Sequence, residues 1–263
     1  MDSCRLQDDQ LAKMIQAVSG HGHVQRLCLA YNKSRTATYK ALSNWLCTPN
    51  CALLELDCGR QQYCDGEEAN LEPVLQALKT NRSLQILNLS YSNIRDDDIT
   101  ILASVLTTNP RLEEVYLCGS NLSFQAVTSL VKVFPSYLGL KKLWLTGEQQ
   151  FGTEGAELVT NALPTNVTLQ DLLLPQSIPE NNSQEMQLQH YLDLNRGGRH
   201  LFRKFNLSTG LWPHVLQRVN HHLDFQLKLK FPTDPEASRQ EMDARRANIV
   251  YSLLRNGQII LER

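Results

Sequence analysis

No apolar run in this 263-residue sequence approaches the roughly twenty residues that a helix needs to span a bilayer. The first residues, Met1-Asp-Ser-Cys-Arg-Leu-Gln-Asp-Asp, also lack the apolar stretch of a secretory signal. An intracellular, cytoplasmic chain with no membrane partner is therefore expected. Neither charge dominates: 26 Lys and Arg stand against 27 Asp and Glu, which argues against a dedicated nucleic-acid binder. No nucleotide-binding glycine loop, Gly-x-Ser-x-Gly elbow or His-Glu-x-x-His helix occurs, so no catalytic residues are assigned and no enzyme is expected. Paired Cys-x-x-Cys spacing is absent too. Cys47, Cys51, Cys58 and Cys64 are separated by three, six and five residues, and neither His21-Gly-His23 nor His221-His222 has a cysteine or carboxylate at a metal-ligand interval. No metal and no cofactor are expected, and the seven cysteines read as free thiols that fill small apolar slots.

What the sequence does have is leucine at regular intervals. The pattern Leu-x-x-Leu-x-Leu returns six times: Val24, Leu27, Leu29; Cys51, Leu54, Leu56; Leu84, Leu87, Leu89; Leu112, Val115, Leu117; Leu140, Leu143, Leu145; Leu169, Leu172, Leu174. The starting positions are 27, 33, 28, 28 and 29 residues apart, the period of a leucine-rich-repeat solenoid with one strand and one helix in each unit. Between the strands, apolar residues recur at helical spacing, as in Ile99, Leu102, Ala103, Val105, Leu106 and in Val127, Leu130, Val131, Val133, Phe134. Asp96-Asp97-Asp98 supplies negative charge at a helix start, and Asn109-Pro110 closes the same helix. The phrases Cys47-Thr-Pro-Asn, Lys79-Thr-Asn-Arg, Thr107-Thr-Asn-Pro and Leu163-Pro-Thr-Asn each stop a helix before the next strand. An earlier stripe, Leu11, Met14, Ile15 and Val18, predicts a helix ending at Gly20 that covers the first repeat. Gly59 to Asn70, inside the longest interval, reads as an enlarged loop.

Repeats of this length with a helix on the outer face resemble the ribonuclease-inhibitor-like subclass of leucine-rich repeats. The resemblance covers residues 6–180 and implies an α/β fold, a curved parallel sheet inside and helices outside. Where that subclass has Asn or Cys, this sequence reads Asn32, Gly59, Ser92, Ser120, Glu148 and Ser177, so an incomplete asparagine ladder and irregular turns at Gly59 and Glu148 are expected.

The charge balance changes past the repeats: residues 1–182 carry 14 basic and 19 acidic residues, residues 183–263 carry 12 and 8. The expected division is a solenoid with an N-terminal helical cap over 1–182 and a C-terminal helical capping module over 183–263. Tyr191-Leu-Asp-Leu-Asn-Arg-Gly-Gly-Arg-His-Leu, Gly210-Leu-Trp-Pro-His-Val-Leu and Ile249-Val-Tyr-Ser-Leu-Leu-Arg-Asn-Gly follow one another there. That order is similar to the C-terminal module of leucine-rich-repeat proteins from diatoms and related algae, a resemblance that implies no activity. From the residues alone, helices are expected at Met186 to Leu194, from Pro213, and at Met242 to Leu254.

Alternation sends the residues between the leucines onto the exposed face of the sheet. The central column reads Cys28, Glu55, Asn88, Tyr116, Trp144, Leu173, with Arg26, Leu53, Ile86, Glu114, Lys142, Asp171 on one side and Ala30, Asp57, Ser90, Cys118, Thr146, Pro175 on the other. Tyr116 and Trp144 should stand on adjacent strands beside Glu114 and Lys142, a partner-binding centre extended by Ile86, Asn88 and Leu173. Arg196, Arg199, Arg203 and Lys204 form the densest basic stretch, a candidate anion site that also suits cations at a helix C-terminus. The reading is a noncatalytic, monomeric protein-interaction scaffold with an unidentified protein partner. Two alternatives stay open: a regulator of an enzyme, since similar solenoids include GTPase activators and ribonuclease inhibitors, and a substrate receptor of a ubiquitin ligase, suggested by Leu211-Trp-Pro.

Overall fold

Leucines at fixed intervals can share one core only if successive strands run parallel and in step, and that is the arrangement found. The computed structural model describes residues 5–61, 70–92, 94–147, 152–175, 183–197 and scattered helical positions between 199 and 244. Six short strands, β1 (Arg26–Cys28), β2 (Glu55–Asp57), β3 (Ile86–Asn88), β4 (Glu114–Tyr116), β5 (Lys142–Trp144) and β6 (Asp171–Leu173), form one parallel sheet in sequence order. Between them lie α2 (Thr36–Leu46), α3 (Glu72–Leu78), α4 (Asp96–Thr108), α5 (Phe124–Lys132) and α6 (Gly152–Ala162), preceded by α1 (Asp8–Ser19). The protein is an α/β leucine-rich-repeat solenoid. Its contacts divide the chain into two units, Met1–Pro179 and Glu180–Arg263. In the second, α7 (Ser183–Arg196) buries Leu188, Leu192 and Leu194. The later phrase at Ile249 lies outside the described residues, as does that at Gly210 apart from His214, and the expected helix from Met242 to Leu254 is described only at 242–244.

Strand register corrects one repeat. Leu27 pairs with Leu56 and Cys28 with Asp57, so the second unit begins at Leu53 and reads Leu53, Leu56, Cys58. Leu53, Leu56 and Cys58 are buried, whereas Cys51 and Leu54 are only half-buried. Unit starts at 24, 53, 84, 112, 140 and 169 are more even than those read from the sequence. The extra length falls in the interval after Leu53, whose residues 62–69 lie outside the described ones.

The same correction restores the hydrogen-bond ladder. Gln61, not Gly59, stands where Asn32 stands one repeat earlier. The Asn32 amide donates to the carbonyls of Leu29 and Ala30, and the Gln61 amide to those of Leu29, Cys58 and Gly59. Ser92 then donates to Cys58 O at 3.1 Å and Ser120 to Leu89 O at 3.2 Å, each reaching back one repeat. Buried carbonyls that strand pairing leaves open are thereby satisfied. The turn at Gly59 is also regular. Tyr31, Arg60, Tyr91, Gly119 and Gly147 occupy one position in five successive units, and all adopt φ between +51° and +77°. Glu148 and Ser177, the other departures, lie outside the described residues.

A second ladder runs where the helices stop. Asn81, Asn109 and Asn166 are buried; their amides donate to Leu46 O, Leu78 O and Phe134 O in the preceding unit, at 2.8, 2.8 and 2.9 Å. Their side-chain oxygens accept backbone N–H groups two or three residues on, fixing the turn into the strand. Helix termini left by the Pro135 and Pro164 phrases tighten into single 3-10 turns at Phe134–Ser136 and Leu163–Thr165.

The N-terminal helix is joined to the repeats by one carboxylate. Leu11 and Ile15 are fully buried, and Asp8 accepts the backbone N–H groups of Arg35, Ala37 and Thr38 at 2.8, 2.9 and 2.9 Å. Those are the open donors at the start of α2, which Arg35 leaves uncapped with its own side chain. Burial works against the charged Asp8, but its bonds to Thr38, Ala37 and Arg35 outweigh it and hold the carboxyl below its ordinary range. The stabilisation is therefore fully present above the ordinary Asp range near pH ~4 and is lost as pH falls through the lower folded value. Asp8→Ala should cost about 1–2 kcal/mol in urea denaturation at neutral pH, and Asp8→Asn less. Equal stability of Asp8→Ala and wild type at pH 7 would rule out the capping role.

Candidate concave binding site

Alternate residues of each unit make three columns on the open face, two from the ends of the strand and one from two positions past it. In the corrected register the central column is Cys28, Asp57, Asn88, Tyr116, Trp144, Leu173. Glu55 moves to the flanking column with Arg26, Ile86, Glu114, Lys142 and Asp171, and Gly59 replaces Asp57 in the column that continues to Ser90, Cys118 and Thr146. A concavity of about 550 Å³ lies over this surface, lined by residues from Glu55 and Asp57 on β2 to Leu173 on β6. The expected partner-binding residues Ile86, Asn88, Glu114, Tyr116, Lys142, Trp144 and Leu173 all stand on this face. Leu173 is 41% exposed, a large apolar side chain open to water.

Tyr116 and Trp144 are paired across β4 and β5, and their rings meet edge to face with centroids 4.8 Å apart and planes at 89°. Such a contact contributes about 0.5–1.5 kcal/mol beyond area burial and fixes both rings. The Tyr116 hydroxyl donates to Glu114 Oε2, which also receives Lys142 Nζ at 3.2 Å. Lys142 Nζ lies 5.9 Å from the Tyr116 ring centre and 5.6 Å from that of Trp144. Burial opposes the ammonium, yet Glu114 and Tyr116 together hold the Lys142 proton above the usual lysine range. Burial and the bond to Glu114 push the Tyr116 phenol up. At neutral pH the group therefore holds the Lys142 ammonium, paired with Glu114, and a neutral phenol. Its charges cancel while its aromatic surface stays in place. The Trp144 indole N–H is shut from solvent and has no hydrogen-bond partner among the described residues. A buried donor in that state costs about 1–3 kcal/mol.

A row not read from the sequence borders this face. Arg60 donates to the Tyr31 hydroxyl, and its guanidinium lies 5.3 Å from the Tyr31 ring centre and 4.7 Å from that of Tyr91. The three side chains leave the recurrent left-handed turn at neighbouring levels. Tyr91 continues over Gly119, where a Cβ would come within 2.5 Å of its ring. The only signal in the sequence was the even spacing of Tyr31, Arg60 and Tyr91 once Leu53 is taken as the start of the second unit.

The basic stretch is in the second unit. Arg196 pairs with the buried Asp193 at 2.8 Å and Arg199 lies 5.3 Å from the ring centre of Tyr191. Arg203 and Lys204 lie outside the described residues. The expected pairing of tyrosine and tryptophan is present as geometry.

No protein-family model matches the chain. A segment of 106 residues is 30% identical to the human NACHT, LRR and PYD domains-containing protein 13; it covers 40% of this chain and 10% of that protein. The chain thus spans a small part of that relative's length. Among solved structures, one described as leiomodin-1 actin-binding site 2 superposes with a TM-score of 0.50 at 12% identity, covering 75% of this chain and 94% of that one. The C-terminal domain of a Caenorhabditis elegans tropomodulin gives a TM-score of 0.48 at 10% identity, over 77% and 100%. The leiomodin likeness shows the fold.

Proposed function

We propose that this chain is a noncatalytic protein-interaction scaffold, monomeric, with repeats of the ribonuclease-inhibitor-like subclass and a protein partner on its concave face. The observation that carries the reading is the Tyr116–Trp144 pair, half-buried at the floor of an open concavity and fixed by Glu114 and Lys142. Rigid aromatics with prepaid ordering and self-neutralised charge are the usual anchors of protein interfaces. The alternation of one strand and one outer helix at 28–29 residues in the later units supports the subclass. The leiomodin-1 structure supports the architecture alone, because 12% identity transfers no residue of its actin-binding site.

Affinity purification with three baits tests this reading. Proteins retained by wild type and by Lys40→Glu, an exposed substitution on α2, should be lost from a Trp144→Ala bait. The same proteins captured equally by all three baits would place the interface elsewhere.

A further inference from the structure

From β2 to β6 the central column changes character steadily. On β2 it presents the Asp57 carboxylate, on β3 the Asn88 amide, on β4 and β5 the Tyr116 and Trp144 rings, and on β6 the exposed Leu173. Apart from Asp171 in the flanking column on β6, the other charges near its axis are spoken for. Arg26 pairs with Glu55 at 3.2 Å, Lys142 with Glu114 at 3.2 Å, and Arg60 stacks on Tyr31 and Tyr91 at the rim. Asp57 alone in this column carries a charge, and among the described residues no cation pairs with it. Its Oδ1 accepts the Gly59 N–H at 2.8 Å and its Oδ2 faces the Cys28 thiol at 3.8 Å. On the strand C-terminal side, the column is bordered by small residues, Gly59, Ser90, Cys118 and Thr146, which leave room for a second chain.

We infer that the concave face binds an extended peptide segment lying across the strands, with a basic side chain on Asp57 and apolar side chains on Trp144 and Leu173. The inference rests on the concave face being the binding face and adds the chemistry of the partner. Spacing sets the motif. Parallel strands lie about 4.8 Å apart, so Trp144 is roughly 14 Å and Leu173 roughly 19 Å from Asp57 across the sheet. An extended chain advances about 3.3 Å per residue, which puts the apolar residues four and six positions from the basic one. Side chains at even separations share a face of an extended chain, so all three can point into the concavity together.

The test is selection of random twelve-residue peptides displayed on phage against the purified full-length chain. Enriched peptides should carry Lys or Arg with apolar residues at four and six positions on one side. A synthetic enriched peptide should bind Asp57→Asn at least about tenfold more weakly, because a charge-assisted bond is lost while Asn keeps an acceptor for Gly59 N–H. The same peptide with Gln for its basic residue should bind both proteins equally, and Asp57→Lys should enrich Asp or Glu at that position. Enriched peptides without a basic residue, or binding indifferent to Asp57→Asn, would overturn the inference; loss of such binding in Tyr116→Ala would leave the concave reading standing. Binding indifferent to both Asp57→Asn and Tyr116→Ala would remove both. No enrichment at all would overturn the peptide, and would leave recognition of a folded surface to the bait comparison.

Discussion

Leu87→Ala should lower unfolding stability by about 2–5 kcal/mol, one of the largest single effects expected in this chain. Leu87 is fully buried at the centre of β3, between Leu56 of the previous strand and Val115 of the next. Removing it opens a cavity that three repeats line, and stacked repeats share their stability through such interfaces. A comparison within β2 makes the test specific to register. Leu56→Ala should match Leu87→Ala, while Leu54→Ala should cost clearly less, because Leu56 is fully buried and Leu54 half-buried. Urea denaturation of the three variants measures this. A midpoint for Leu87→Ala equal to wild type would contradict the fold, and Leu54→Ala as damaging as Leu56→Ala would contradict the corrected unit.

That correction shows what the leucine pattern can and cannot tell. Cys51, Leu54, Leu56 and Leu53, Leu56, Cys58 fit the same template, and they differ by a slip of two residues. A two-residue slip leaves every side chain on its own face, since strand periodicity is two. Alternation is therefore blind to it. The discriminating residue was Gln61, whose amide reaches the same kind of carbonyls as Asn32 but which does not look like the expected Asn or Cys. Likewise the Thr-Asn phrases were legible as helix stops, but not the reason. Asn81 and Asn109 bond across repeats to Leu46 O and Leu78 O, and no local pattern encodes a contact more than thirty residues away.

The site was legible to the extent that it depends on register in the later repeats. Units at 84, 112, 140 and 169 are evenly spaced, so alternation places Asn88, Tyr116, Trp144 and Leu173 in one row without help from the structure. Asp57 was assigned to the wrong column because the slip displaced the β2 residues by one column. The edge-to-face ring contact and the choice of Glu114 over Asp171 as the partner of Lys142 are rotamer outcomes, which a sequence does not state. The Tyr31–Arg60–Tyr91 row was hidden for another reason. Its turn requires positive φ, and only two of its five members, Gly119 and Gly147, are the residue that announces such a turn.

Truncating both concave rings, Tyr116→Ala with Trp144→Ala, should weaken binding of the native partner by about 2 kcal/mol or more, roughly thirtyfold. The fold should survive, because both side chains leave the sheet on the side opposite the leucine core, while Val115 and Leu143 between them remain buried. The loss comes from two sources. Aromatic area that needs no further ordering disappears, and Glu114 and Lys142 lose the ring edges and the phenol that hold them in place. Charge reversal at Glu114 and Lys142 together keeps their pairing and exchanges only its direction, so it should act mainly on association rate and salt dependence. Titration of the partner by calorimetry, beside circular dichroism of each variant, separates these effects. A folded double variant that binds at undiminished strength would exclude the concave centre, and the search for the interface would then move to the basic segment from Arg196 to Lys204.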